Sequence, residues 1–438
     1  MAAALFAGDS DVALTIYNDN LGLVREIRTI QLSKGMQEYR FVDVAAEIDP
    51  TSVHFKPLSN AADVALWEQN FEYDLVGLPR LMQKYVDQEV IVTVREGGTV
   101  QGTLLSAVGD DIVLSISGGQ IRALKSAAIE SVIFPSLPSG LITRPTLVWL
   151  LNSKTAGPVK SEISYLTEGI SWHAEYVAVV NDKDTQLNLA GWVSIDNRSG
   201  ASYENAKLKL VAGDVNRVSE EPTYYPMPKR AVMAMAADES AFAEKEFFEY
   251  HLYTLQRPAT VKDRQVKQVS LFEPQSTPVK KIYSYEGQRD AQKVQVRLEF
   301  KNAKENNLGM PLPAGKVRVY KRDEDGSQEF IGEDRIDHTP TDETIRLTMG
   351  SAFDVVGERN VLREQRVSDR SRQQTVEIVL RNHKKEAIEV TVIERHWGDW
   401  KFVGKTPTVK KQTADRVEFL VQVPAGGEHR FEYTVLAQ

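Results

Sequence analysis

Apolar and polar residues alternate with a period of two along most of this chain, and that pattern constrains its fold more than any other feature. Val12, Leu14 and Ile16 form one such run; Val294, Val296, Leu298 and Phe300 form another. Val376, Ile378 and Leu380, then Ile388, Val390 and Val392, then Val417, Phe419, Val421 and Val423 repeat it toward the end. Successive side chains of a strand point to opposite faces, so period two predicts strands with one buried face. Turn sequences separate the runs: NRSG at 197–200, DEDGS at 323–327 and PAGGE at 424–428. The expected fold is all-β, built of antiparallel β-sandwich domains.

A chain of 438 residues is too long for one hydrophobic core. With 42% hydrophobic and 26% charged residues it reads as globular, and no apolar run approaches the roughly 20 residues needed to span a bilayer. The net charge of -8 has the wrong sign for a protein that neutralises many phosphates. The absence of cysteine excludes disulfides, thiolate metal sites and thiol catalysis. The opening MAAALFAGDS has no basic segment followed by a long apolar one, which fits a start Met placed on a mature end whose secretion signal has been removed.

Two segments break the alternation. LPRLMQKYVDQ, residues 78–88, spaces Leu78, Leu81, Met82 and Tyr85 as a short helix, and about five short strands with Gly-Gly turns follow. Residues 77–135 therefore predict a small SH3-like or Sm-like barrel inserted in the chain. Residues 219–247, rich in Ala, Met, Pro and charge, predict a mobile excursion with one loose helix around 231–246. The expected organisation is an antiparallel β region at 1–76, the barrel at 77–135, a central β domain at 136–345 and an immunoglobulin-like sandwich at 346–438.

The chemical candidates are few. In ISWHAEYVAVV, residues 170–180, His173 and Glu175 share a strand face, opposite Trp172, Ala174, Tyr176 and Ala178. A zinc deaminase would need cysteines to complete that pair. The bland reading, a core strand with an incidental histidine, is the expectation. Glu394 and His396 form a second such pair, and no HExxH occurs. GDWKFVGKT ends in Gly404, Lys405 and Thr406, but the phosphate-loop glycine is misplaced and Pro407 forbids the helix. Asp323 and Asp325 lack the remaining ligands of a calcium loop and read as a hairpin turn. The Gly-Gly pairs at 97–98, 118–119 and 426–427 read as hairpin turns. No catalytic, cofactor-binding or metal-binding residue is assigned, and no cofactor.

The barrel carries five basic residues, Arg80, Lys84, Arg95, Arg122 and Lys125, against six acidic ones, so RNA binding is disfavoured. In ERHWGDWKF a two-residue turn at Gly398 and Asp399 would pair Trp397 with Trp400, placing both with Phe402 on one face and Glu394, His396 and Lys401 on the other. Packed inward, this face would close the end of the C-terminal sandwich; facing outward, Trp397, Trp400 and Phe402 would be a partner-contact surface.

The run from Trp172 and Tyr176 through Gly191 and Trp192 to NRSG and LKLVAGDVNRV, with LPAGKVRVY and the closing VQVPAGGEHRFEYTV, resembles bacterial proteins carrying the domain of unknown function 4139. The resemblance spans about residues 135–438, and 77–135 is similar to the insert upstream in such proteins. It implies a β-rich fold and often a secretion signal, hence a periplasmic or extracellular location; it implies no reaction and carries over no site residues. The leading expectation is a non-enzymatic, extracytoplasmic interaction or envelope scaffold with a protein or glycan partner, no nucleic acid and no transmembrane segment. The alternatives are a hydrolase or carbohydrate-active enzyme with a cleft between β domains, and a nucleic-acid binder working through the barrel.

Overall fold

The computed structural model describes residues 11–95, 97–109, 111–138, 141–213, 215–217, 242–248, 250–368, 371–404 and 407–437. They are nearly all strands and turns, the predicted all-β class in antiparallel sheets. None of the described helices is long and apolar enough to cross a membrane. The chain divides into two compact units, one within 1–171, 196–209 and 257–265, the other within 172–195, 210–256 and 266–438.

In the first unit Gly22–Leu32 lies between Asp11–Tyr17 and Gly157–Thr167, all antiparallel. Leu14, Ile16, Val24, Ile30 and Ile163 are buried there, the predicted phase of the first alternating run. A three-stranded sheet has Thr146–Ser153 at its centre, where Trp149 is fully buried against Phe41 and Phe55.

Residues 77–135 form the helix Leu78–Lys84 and a five-stranded antiparallel sheet over a core of Met82, Tyr85, Val90, Val92, Leu104 and Leu114. The sheet starts with Ile129–Ile133 at one edge, then runs Glu89–Val94, Gly98–Val108, Asp111–Ile116 to Gln120–Lys125 at the other. No ladder joins the two edge strands among the described residues. The last strand, Ile129–Ile133, returns to pair with the first, Glu89–Val94, and no closed barrel is found among the described residues.

In the second unit a five-stranded sheet is formed by Gln265–Pro278, Gln186–Asn197, Ile170–Val180, Gly315–Arg322 and Gln328–Ile336. Ile170–Val180 runs parallel to Gly315–Arg322. In the first unit Tyr203 and Ala206 pair with Val261 and Ala259.

Nine strands make the C-terminal sandwich: β1 (Lys280–Tyr285), β2 (Lys293–Lys301), β3 (Thr344–Ser368), β4 (Ser371–Asn382), β5 (Ile388–Arg395), β6 (Trp400–Phe402), β7 (Val409–Gln412), β8 (Arg416–Val423) and β9 (Glu428–Ala437). Their order is β6-β9-β4-β3-β2-β1-β5-β8-β7. The 25-residue β3 serves both layers: its first half pairs with β2 and its second with β4. The register against β2 breaks between Gln295↔Ser351 and Lys293↔Val356, and this corner lets one sheet fold over itself. The division expected near 345 falls inside β3, and the sandwich begins at Lys280 instead of 346.

Tyr283, Tyr285, Val376, Ile378, Leu380, Val390, Val392, Phe419 and Tyr433 fill its core. Gly357 is needed there, since a Cβ at that position would lie 2.2 Å from the Tyr285 ring. PAGGE is not a hairpin turn: it carries the chain from β8 in one layer to β9 in the other. Of the predicted excursion, residues 219–241 lie outside the described residues. Phe242–Phe247, overlapping the end of the helix expected at 231–246, is a strand paired with Tyr250–Leu255.

Candidate functional site

The most unusual electrostatic environment among the described residues lies at one end of the sandwich core. Ile388, Val390, Val392 and Glu394 share the inward face of β5, so the carboxylate occupies a position the alternation reserves for an apolar side chain. Glu394 is fully buried. From β3, Arg359 donates its Nε–H to both carboxylate oxygens, at 3.1 and 3.0 Å. From β9 the Tyr433 hydroxyl donates to Oε2. Burial pushes the Glu394 carboxyl above its ordinary range, against the pull of Arg359 and Tyr433. Burial, aided by Glu394, likewise raises the Tyr433 hydroxyl.

His396 sits just beyond β5, buried, with its ring 4.8 Å from that of Trp400 and 6.0 Å from that of Tyr433. Its Nε2 is enclosed without a hydrogen-bond partner. Burial lowers the imidazole to about 4, and the Arg359 charge acts in the same direction. Arg359, Glu394 and Tyr433 form a hydrogen-bonded network in the core, and the His396 ring packs beside it. All four groups are held by one another or by aromatic rings, and none lines an open cleft.

The expected tryptophan hairpin does not form. β5 pairs with β1 and β8, and β6 pairs with β9 through Trp400↔Ala437 and Phe402↔Val435. Trp397 is therefore not opposite Trp400: it is 76% exposed, whereas Trp400 packs on the core and donates its indole N–H to the Ala414 carbonyl at 2.6 Å. Phe402 lies edge-on to Trp400 and Tyr433. His396 and Glu394 face inward, not onto an outer face with Lys401. A shallow recess of about 120 Å³, lined by Asp399, Trp400, Lys401 and Leu436, opens beside them.

On the five-stranded sheet Trp172, Ala174, Tyr176 and Ala178 are buried as expected. The Trp172 indole donates to the Val211 carbonyl and the Tyr176 hydroxyl to that of Pro313. His173 is exposed, 3.4 Å from Glu175, which accepts from Arg318 at 3.0 Å. That hydrogen bond holds Glu175 below the ordinary carboxylate range. The space over Gly191 is taken by Phe272 rather than Trp172 or Tyr176: a Cβ there would meet its ring at 2.4 Å.

Asp323 and Asp325 cap the turn backbone at Glu324 and Ser327, consistent with a hairpin turn between Gly315–Arg322 and Gln328–Ile336. Gly404 is exposed, and Lys405 and Thr406 lie outside the described residues. Among the described residues no three His, Asp or Glu side chains are placed to hold a metal ion.

Sequence reasoning missed Arg359, Tyr433 and a second cluster, in which Asp184 binds Lys281 and Lys321. Lys321 also donates to the carbonyls of Asn181 and Asp182. Burial opposes the Asp184 charge, but the two lysines outweigh it and hold the carboxyl below its usual range. The available signal for the first cluster was phase: Glu394 continues the buried face of β5.

No curated protein matches the sequence. Residues 161–438 match the model of the domain of unknown function DUF4139, covering the whole nine-stranded sandwich and the whole five-stranded sheet, and on that match the chain belongs to the DUF4139 family.

Proposed function

We propose that this protein is a non-enzymatic, extracytoplasmic interaction or envelope scaffold. The observation that carries this reading is the fate of its displaced titratable groups. Glu394 and Tyr433 bind each other inside the sandwich, with Glu394 at 0% exposure and the His396 ring enclosed beside Tyr433. A general acid or base must reach a substrate proton within hydrogen-bond distance, and a carboxylate already bound by Arg359 and Tyr433 inside the core has no such reach. The outer surface supplies contacts instead: Trp397 is 76% exposed at the sandwich end, and Phe353 is 97% exposed at the β3 corner. Exposed aromatic side chains of this size favour contact with a partner.

The test is fractionation of the source cell combined with a panel of glycoside, ester and peptide substrates. The protein is expected in the extracytoplasmic fraction and inactive on the panel. Turnover abolished by Glu394→Gln with the fold intact, or a cytoplasmic location, overturns the reading.

A further inference from the structure

The outward face of one sandwich layer carries polar groups that its own residues leave unanswered. Ser284 on β1 and Thr391 on β5 are neighbours in parallel register, and both are buried although they point away from the core, at 4% and 7% exposure. Ile393 on the same face is 3% exposed. Gln295 lies beside Ser284, and the pair Arg395 and Arg416 lies four residues beyond Thr391 along β5. The Gln295 Oε1 accepts from Arg297 at 2.9 Å. The Ser284 hydroxyl and the Nε–H groups of Arg297 and Arg416 are all enclosed without a hydrogen-bond partner.

Charge is unbalanced in the same place. Arg395 holds Glu286 at 2.6 Å, Arg416 holds Glu418 at 2.7 Å and Arg346 holds Glu299 at 2.7 Å. Asp415, near Arg395, accepts from Thr413. Arg297 and Arg289 have no carboxylate at ion-pair distance among the described residues. Burial works most against the Arg297 cation, Glu286 is next and relieves it, and the nearby charges of Arg416, Arg289 and Arg346 then oppose it. A guanidinium cannot escape by losing its proton, so enclosed like charges of this kind are costly unless an anion joins them.

We propose that this face binds an oxyanion, a phosphate or carboxylate group, between the guanidinium groups of Arg297, Arg289 and Arg416 over the Ser284 hydroxyl. The planar fork of arginine matches the paired oxygens of either group. Arg416 is 35% exposed and Arg289 lies on the surface in the turn after β1, so rotation of these side chains opens the site without moving the sheet.

The test is thermal unfolding and calorimetric titration of the full chain with pyrophosphate and with citrate, ionic strength being held constant with sodium chloride. A melting temperature that climbs with the logarithm of anion concentration is expected. Arg297→Gln and the surface change Arg289→Gln should each weaken binding at least tenfold. Without anion, Arg297→Gln should melt at the same temperature as the parent or higher, because it removes an unanswered charge. A response to pyrophosphate alone assigns a phosphorylated ligand; a response to citrate alone assigns a carboxylate-bearing one. No response to either at millimolar concentration overturns the proposal, as does an equal response in the parent and both variants.

Discussion

Arg359 on β3 and Glu394 on β5 meet across the sandwich, with the arginine Nε 3.0 Å from a carboxylate oxygen that has no exposure to solvent. The pair ties the strand that turns the corner between layers to the far layer. Its worth to the fold lies in what happens when one partner is lost.

Arg359→Met should cost about 3–5 kcal/mol, because it leaves a buried carboxylate without its cation. Adding Glu394→Leu should recover most of that loss, since apolar groups of similar volume often replace a buried ion pair at little cost. Urea unfolding of the two single variants and the double variant checks both statements.

Stability should fall as pH drops from about 6.5 to about 4, in part through His396. Its folded value is about 4 against an ordinary 6.5, so in that window the unfolded chain binds a proton the folded chain refuses. Above 6.5 the group contributes no slope. Glu394 acts oppositely, because its raised folded value makes the folded state the better proton binder as pH falls. The His396 share is therefore the difference in slope between the parent and His396→Gln, followed by urea midpoints from pH 7.5 to 4.5. Equal slopes would contradict the assignment.

Gly191→Ala should destabilise by about 1–3 kcal/mol through overpacking against Phe272, whose ring would lie 2.4 Å from the new carbon. Phe272→Leu in the same chain should relieve the clash, so the two changes should combine to less than their sum. A thermal-melt double-mutant cycle measures it.

The tryptophans should separate cleanly. Trp172→Ala is expected to cost about 3–5 kcal/mol through a core cavity, while Trp397→Ala should stay within about 0.5 kcal/mol. Trp400→Ala should fall between them, since its ring covers His396 and Phe402. Emission should lose a red-shifted component with Trp397 and a blue-shifted one with Trp172.

What the sequence made legible was local. Burial of Trp172, Tyr176, Ile378 and Phe419 follows from side-chain phase alone, and the structure keeps that phase. What it hid was long-range pairing. Trp397 and Trp400 look like a hairpin when only nearby residues are considered, yet β6 finds its partner at Ala437 and β5 finds β8. The corner in β3 was equally invisible, because pattern does not say when one strand serves two layers. Glu394 was read only as half of an incidental His–Glu pair, although its phase continues the buried face of β5. Arg359, 35 residues away, is the partner that makes the inward position tolerable.

Contact through the exposed end of the sandwich is tested most directly by placing a photoreactive residue at Trp397 in the full chain and irradiating living source cells. The expected result is a discrete cross-linked product in an extracytoplasmic fraction, absent without light. A folded variant that yields no product, or one confined to the cytoplasm, would contradict an envelope interaction role.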